Sequence, residues 1–144
     1  MKPSRLLLLG SLSALLLGTG CLRLVTAPLR EEREEKAQAA FARLAAIPPE
    51  QMARFMTDRL RQNLTLTAEQ APRVEALNLT YATALHAAAV STDSVRAKTR
   101  VVRAQESAKD AELKSLLTSA QFSRYEELRE QLRTALRDWS ANRP

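Results

Sequence analysis

Beyond Gly20 the chain contains no glycine; Gly10, Gly18 and Gly20 are the three it has, in 144 residues. A stretch of 124 residues without glycine lacks the residue that tight hairpin turns and bulges use most. Aromatic residues amount to only 4%. Ala, Leu, Arg, Glu and Gln dominate instead, and all are good helix formers. The fold class expected is therefore all-α: an elongated helical hairpin or bundle of four to five helices.

The glycines sit in a segment with a different purpose. Lys2 and Arg5 precede an apolar run from Leu6 to Leu17, and Gly18-Thr19-Gly20-Cys21 follows it as a small-residue processing site. This is the pattern of an export leader over residues 1–20. Its apolar run is short for a membrane span of about 20 residues, and Arg23 ends it. Cys21, the only cysteine, resembles the lipidated cysteine of a bacterial lipobox. The departure is Gly18, where a leucine is usual. The alternative is ordinary cleavage that leaves a free thiol. With one cysteine no disulfide forms within the chain. Loss of Lys2 and Arg5 with the leader lowers the side-chain charge from +6 to +4. Behind an export signal, the anions such a chain meets are headgroups, envelope polymers and acidic polypeptides rather than nucleic acid.

Five helical segments are expected after the leader. Pro28 to about Ile47 is a charged helix, with Glu32 four residues before Lys36 and an apolar side (Ala37, Phe41, Leu44) only in its second half. Residues 21–48 thus read as a helical tether, and 49–144 as the helical domain. Pro48-Pro49 separates the two. The second helix shows Met52, Phe55, Met56, Arg59 and Leu60 on one face. The third, Thr67 to about Val90, carries the stripe Val74, Leu77, Tyr81, Leu85 and Ala88. Ser91-Thr92-Asp93-Ser94 ends it and supplies the next cap. The fourth, to about Leu116, has a narrow stripe of Ala97, Val101, Ala104, Ala108 and Ala111 among Arg96, Lys98, Arg100, Arg103 and Lys109. The fifth, from Thr118, has the strongest stripe, Phe122, Tyr125, Leu128, Leu132, Leu136 and Trp139, and is expected to organise the core. The third and fifth helices are expected to flank the fourth as equivalent halves.

Two of these helices open on the same words. Leu66-Thr67-Ala68-Glu69-Gln70 and Leu117-Thr118-Ser119-Ala120-Gln121 both read Leu-Thr-x-x-Gln. Thr at the N-cap accepts from the backbone N–H three residues on, and Gln there reaches back to the Thr N–H. Pro72 makes the first start the weaker one. The second adds Leu117 against Phe122 as a hydrophobic staple. Two copies in a small exported helical chain resemble the LTxxQ-motif periplasmic helical family (Spy/CpxP-like), from roughly Arg54 to Arg133. The segment Lys109-Asp110-Ala111-Glu112-Leu113-Lys114 belongs to the likeness. The resemblance implies a cradle-like antiparallel dimer and either chaperone activity or a role in envelope stress signalling.

No catalytic constellation is visible, and no cofactor or metal is expected. His86 is the sole histidine, expected to be structural; one histidine and one cysteine make a poor soft-metal site. There is no glycine-rich phosphate loop. Asn63-Leu64-Thr65 and Asn78-Leu79-Thr80 match the glycosylation sequon without meaning behind a bacterial-type leader. The function expected is ATP-independent binding of unfolded or partly folded envelope proteins on a basic, apolar helical surface. Met52, Phe55, Met56, Arg59, Arg96, Arg100 and Arg103 are its candidate residues, the first three being equally readable as core. A regulatory partner of a membrane sensor kinase, docking through its periplasmic domain, and a structural envelope lipoprotein are the alternatives. Homodimerisation and a membrane anchor at Cys21 complete the expectation.

Overall fold

The computed structural model describes the backbone of residues 21–143, with side chains from Leu29 onward. The expected leader and the side chain of Cys21 lie outside these described residues. Five α-helices follow in order: α1 (Cys21–Ala45), α2 (Pro49–Leu64), α3 (Gln70–Val90), α4 (Val95–Leu116) and α5 (Ser119–Ala141). Among the described residues there is no strand. The chain divides into a first unit ending at Arg33 and a compact unit beginning at Glu34. In the first, the described residues are helical throughout.

Local chemistry explains the boundaries within the compact unit. Pro48 caps α2 in extended geometry and Pro49 opens it, where a missing N–H costs nothing. His86 Nδ1 lies 3.1 Å from the Ile47 carbonyl in this corner. A carbonyl only accepts, so Nδ1 carries the proton and the histidine pins the α1–α2 turn. Ser94 caps α4 by accepting from the Ala97 N–H at 3.3 Å. Buried Lys98 gives its ammonium to the Ala89 carbonyl at the end of α3, at 2.9 Å, and lies 5.6 Å from the centroid of the Phe41 ring.

Helix α3 packs along both α2 and α4, α5 leans on α2, and α4 meets α5 only lightly. Helices α3 and α5 do flank α4, but not as equivalent halves: α3 packs along it, α5 touches it lightly, and α2 also lies between the two. Two apolar clusters fill the unit. One joins Ile47, Met52, Ala53, Met56, Tyr81, Ala82 and Leu85. The other joins Leu60, Leu64, Val74, Leu113, Leu117, Tyr125 and Leu128. Between them the buried Asn78 donates to the Thr57 hydroxyl at 3.0 Å. The α3 stripe is buried as expected, Leu77 only partly. In α5 only Tyr125 and Leu128 of its stripe are buried, while Leu132, Leu136 and Trp139 stay half-exposed. The core belongs chiefly to α2 and α3, because each has close neighbours on two sides.

The two Leu-Thr-x-x-Gln segments meet. In each, Gln accepts from the Thr N–H at 3.0 Å and returns its own N–H to the Thr hydroxyl, at 3.2 Å for Gln70 and 3.3 Å for Gln121. The two side-chain amides then bond each other, Gln70 Nε2 to Gln121 Oε1 at 2.8 Å and Gln121 Nε2 to Gln70 Oε1 at 3.0 Å. Each Nε2 also reaches the end of the helix before the other motif: Gln70 to Leu116 O, and Gln121 to Leu64 O and Thr65 O. Those carbonyls have no partner within their own helix. The expected weakness of the first copy takes a different form. Its box closes fully, and the Ala71 N–H bonds Thr67 O at 3.0 Å. Pro72 has no N–H for the Ala68 carbonyl, so the regular ladder of α3 begins only at Gln70.

Candidate functional site

Helix α4 is turned differently from its sequence stripe. Val101 is 44% exposed, and Ala104, Ala108 and Ala111 are exposed with it. Toward the interior α4 presents Lys98, Val102, Glu106, Lys109 and Leu113. The reason is area. Leu113, fully buried, and Leu117, 8% exposed, remove far more apolar surface from water than alanine methyls do, and the lysine stems are themselves apolar.

The inward side carries a charged seam. Glu106 accepts from the Tyr81 hydroxyl at 3.4 Å and from Arg133 at 3.1 Å. Asp110, one turn on, accepts from the Tyr125 hydroxyl at 2.5 Å and from Arg129 at 3.1 Å. Each carboxylate thus holds one phenol and one guanidinium, and these bonds join α4 to α3 and α5. Lys109 lies between them with its ammonium 4.2 Å from the Tyr81 ring centroid, a favourable cation–π distance.

Burial and the carboxylates set the ionisation of this group. Desolvation, then the charge of Glu106, push the Tyr81 phenol well above its usual range. Desolvation and the bond to Asp110 do the same to Tyr125. Burial lowers the Lys109 ammonium, and Asp110 and Glu106 offset part of that. The seam borders a cavity of about 380 Å³ with walls from all five helices. Such a cluster is at home in a binding site.

The expected contact residues separate into three groups. Met52, fully buried, and Met56, 8% exposed, are core, since α2 is packed by α3 on one side and α5 on the other. They are not surface, and that expectation is corrected. Phe55 is half-buried, stacked on Trp139 with centroids 4.5 Å apart, and the guanidinium of exposed Arg59 lies 5.3 Å from the Phe55 centroid. Arg96, Arg100 and Arg103 are exposed on α4 and, among the described residues, form no ion pair. Leu66, Thr67, Gln70, Leu117, Thr118 and Gln121 gather in the motif contact described above.

The seam went unread in the sequence. A signal was present: Glu106, Lys109, Asp110 and Leu113 recur at the spacing of one helix face, as do Tyr125, Arg129 and Arg133. Charged residues in such a pattern look like a solvated face until a partner helix is placed opposite.

Among the described residues, no group of three or more His, Cys, Asp and Glu is placed to hold a metal ion. No described helix is long and apolar enough to cross a membrane. Residues 30–125 match the family described as Domain of unknown function (DUF4890), a match that ends within α5 before Arg129. Neither the curated proteins nor the solved structures returned a match.

Proposed function

This chain belongs to the DUF4890 family, and for it we propose a non-catalytic role, the ATP-independent holding of unfolded envelope polypeptides on the outward face of α4. The observation that carries this reading is the exposed apolar stripe at Val101, Ala104 and Ala108, flanked by Arg96, Arg100 and Arg103, which have no described ion pair. The outer side of α3 adds Leu79, 40% exposed, and Val90, 56% exposed. Unpaired cations attract acidic stretches of an unfolded chain. Small apolar side chains then hold it weakly enough to let it fold while bound. Exposed apolar side chains rimmed by charge are the usual mark of an interaction surface.

The remainder of the reading rests on the sequence. The leader and Cys21 point to a lipid-anchored periplasmic protein, and the paired motifs to kinship with the LTxxQ-motif, Spy/CpxP-like proteins. A homodimer of this thin, alanine-rich unit belongs to the same proposal. Mass spectrometry of the membrane fraction tests the anchor, as acylation of Cys21.

Purified protein at near-stoichiometric amounts should suppress aggregation of an unfolded client without ATP, and less so at high salt. The triple variant Arg96→Glu, Arg100→Glu, Arg103→Glu should keep its melting temperature and lose most of the suppression. Absence of suppression at several-fold excess of folded protein rejects the reading. The unpaired arginines would equally suit an acidic patch on a sensor kinase's periplasmic domain. A salt-sensitive one-to-one complex with that domain, with no effect on clients, favours the regulatory role instead.

A further inference from the structure

The cavity inside the compact unit is a second site, independent of the outward face of α4. It exists because α5 leans on α2 and barely meets α4, so that side chains bridge the two helices without closing the space between them. Its volume of about 380 Å³ falls in the range of small-ligand sites, roughly 300–1,000 Å³.

The wall has two characters. Leu44, Phe55, Leu85, Val102, Leu132 and Leu136 make it apolar. Six Lys and Arg side chains also line it, against three carboxylates. All three carboxylates are already paired, Glu106 and Glu130 with Arg133 and Asp110 with Arg129, so positive charge is left over. Two polar groups of the wall are buried without a partner, Arg43 Nε and Asn78 Oδ1. Asn78 is 0% exposed, and among the described residues its side chain bonds only the Thr57 hydroxyl. Half of a buried amide is thus left without a hydrogen bond, and native interiors rarely leave such a group unmet.

We propose that this cavity binds a single-chain amphiphile with an anionic head, of the fatty-acid class. The hydrocarbon chain lies on the apolar wall. The head lies on the cationic one, beside the half-buried Arg43, whose Nε has no hydrogen-bond partner among the described residues. A neutral chain of the same length leaves the excess charge unbalanced.

Trp139 reports on the site, being the chain's single tryptophan and stacked on the cavity residue Phe55. Full-length protein is titrated with myristate below its micelle concentration, with lysophosphatidylglycerol, and with myristyl alcohol. Tryptophan fluorescence and calorimetry should show saturable one-to-one binding of an anionic chain, at least ten-fold tighter than the alcohol, with a raised melting temperature. Whether myristate or the lysolipid binds tighter identifies a carboxylate or a phosphate head. Arg43→Gln should weaken binding at least five-fold with helicity unchanged. Val102→Phe should abolish it by filling the space, and if that variant does not fold, Arg43→Gln alone decides. Binding of neither anionic chain, equal binding of the alcohol, or unchanged affinity in Arg43→Gln overturns the proposal.

Discussion

Gln70 and Gln121 do more than close their own caps. Every polar atom of both side-chain amides has a partner, and each reaches the C-terminal carbonyls of the helix preceding the other motif. Their orientation follows from this: turned over, either amide would point NH₂ at a threonine N–H. Independent caps would give additive losses of about 1 kcal/mol each. A double-mutant cycle with Gln70→Ala and Gln121→Ala should instead show a coupling energy of about 0.5–3 kcal/mol in urea unfolding, as for directly bonded neighbours. Additivity within error would reduce the motifs to separate caps. Thr65 sits beside them with φ 48° and ψ 60°, the one positive φ among the described residues. A β-branched residue is costly in that left-handed region, which glycine or asparagine usually occupies at a helix end. Thr65→Asn should therefore raise stability by about 0.5–1 kcal/mol in the same assay. A loss would mean that the threonine side chain has a compensating role.

At the scale of the element, α4 shows which parts of a charged seam support stability. Glu106 and Asp110 each bind a phenol and a guanidinium, whereas the buried Lys109 ammonium lies over a ring. Asp110→Ala leaves the Tyr125 hydroxyl and Arg129 without their acceptor and should cost about 2 kcal/mol. Lys109→Met keeps the apolar stem and removes a desolvated charge, so stability should change by less than about 1 kcal/mol. Equal losses in thermal unfolding would show that the lysine is integral to the network. The helices themselves were legible in the sequence, their ends set by Pro48-Pro49, Ser94 and the two threonine caps. The rotation of α4 was not. Its alanine stripe has the better periodicity, but Leu113 and Leu117 bury more surface, and hydrophobic area decides which face turns inward.

For the whole molecule, the seam predicts how the fold meets alkali. Tyr81 and Tyr125 are the chain's two tyrosines, and both are held neutral above their ordinary pKa of 10.0. Above pH 10 the unfolded chain releases protons that the folded one retains. Stability therefore falls there by about 1.4 kcal/mol per pH unit for each tyrosine. Lys109, lowered from 10.5, acts oppositely: its burial penalty is relieved as pH rises toward that value, and it contributes no further slope beyond. Phenolate absorbance should then appear together with loss of helicity, in one cooperative transition above pH 10. Gradual ionisation of a tyrosine near pH 10 in a still-helical protein would contradict the buried seam.

Some of this protein could be derived from the order of its residues. Glycine-free, alanine- and leucine-rich sequence dictated helices; prolines and threonine caps placed their ends; the α3 stripe identified its buried face. These are short-range effects, governed by backbone sterics and by hydrogen bonds within one turn. Tertiary structure decided the rest. It buried Met52 and Met56, turned the α4 stripe outward, brought Gln70 to Gln121 and opened the cavity between α4 and α5. Those outcomes depend on which helix lies opposite which, and that is a competition among buried areas and paired charges far apart in the chain.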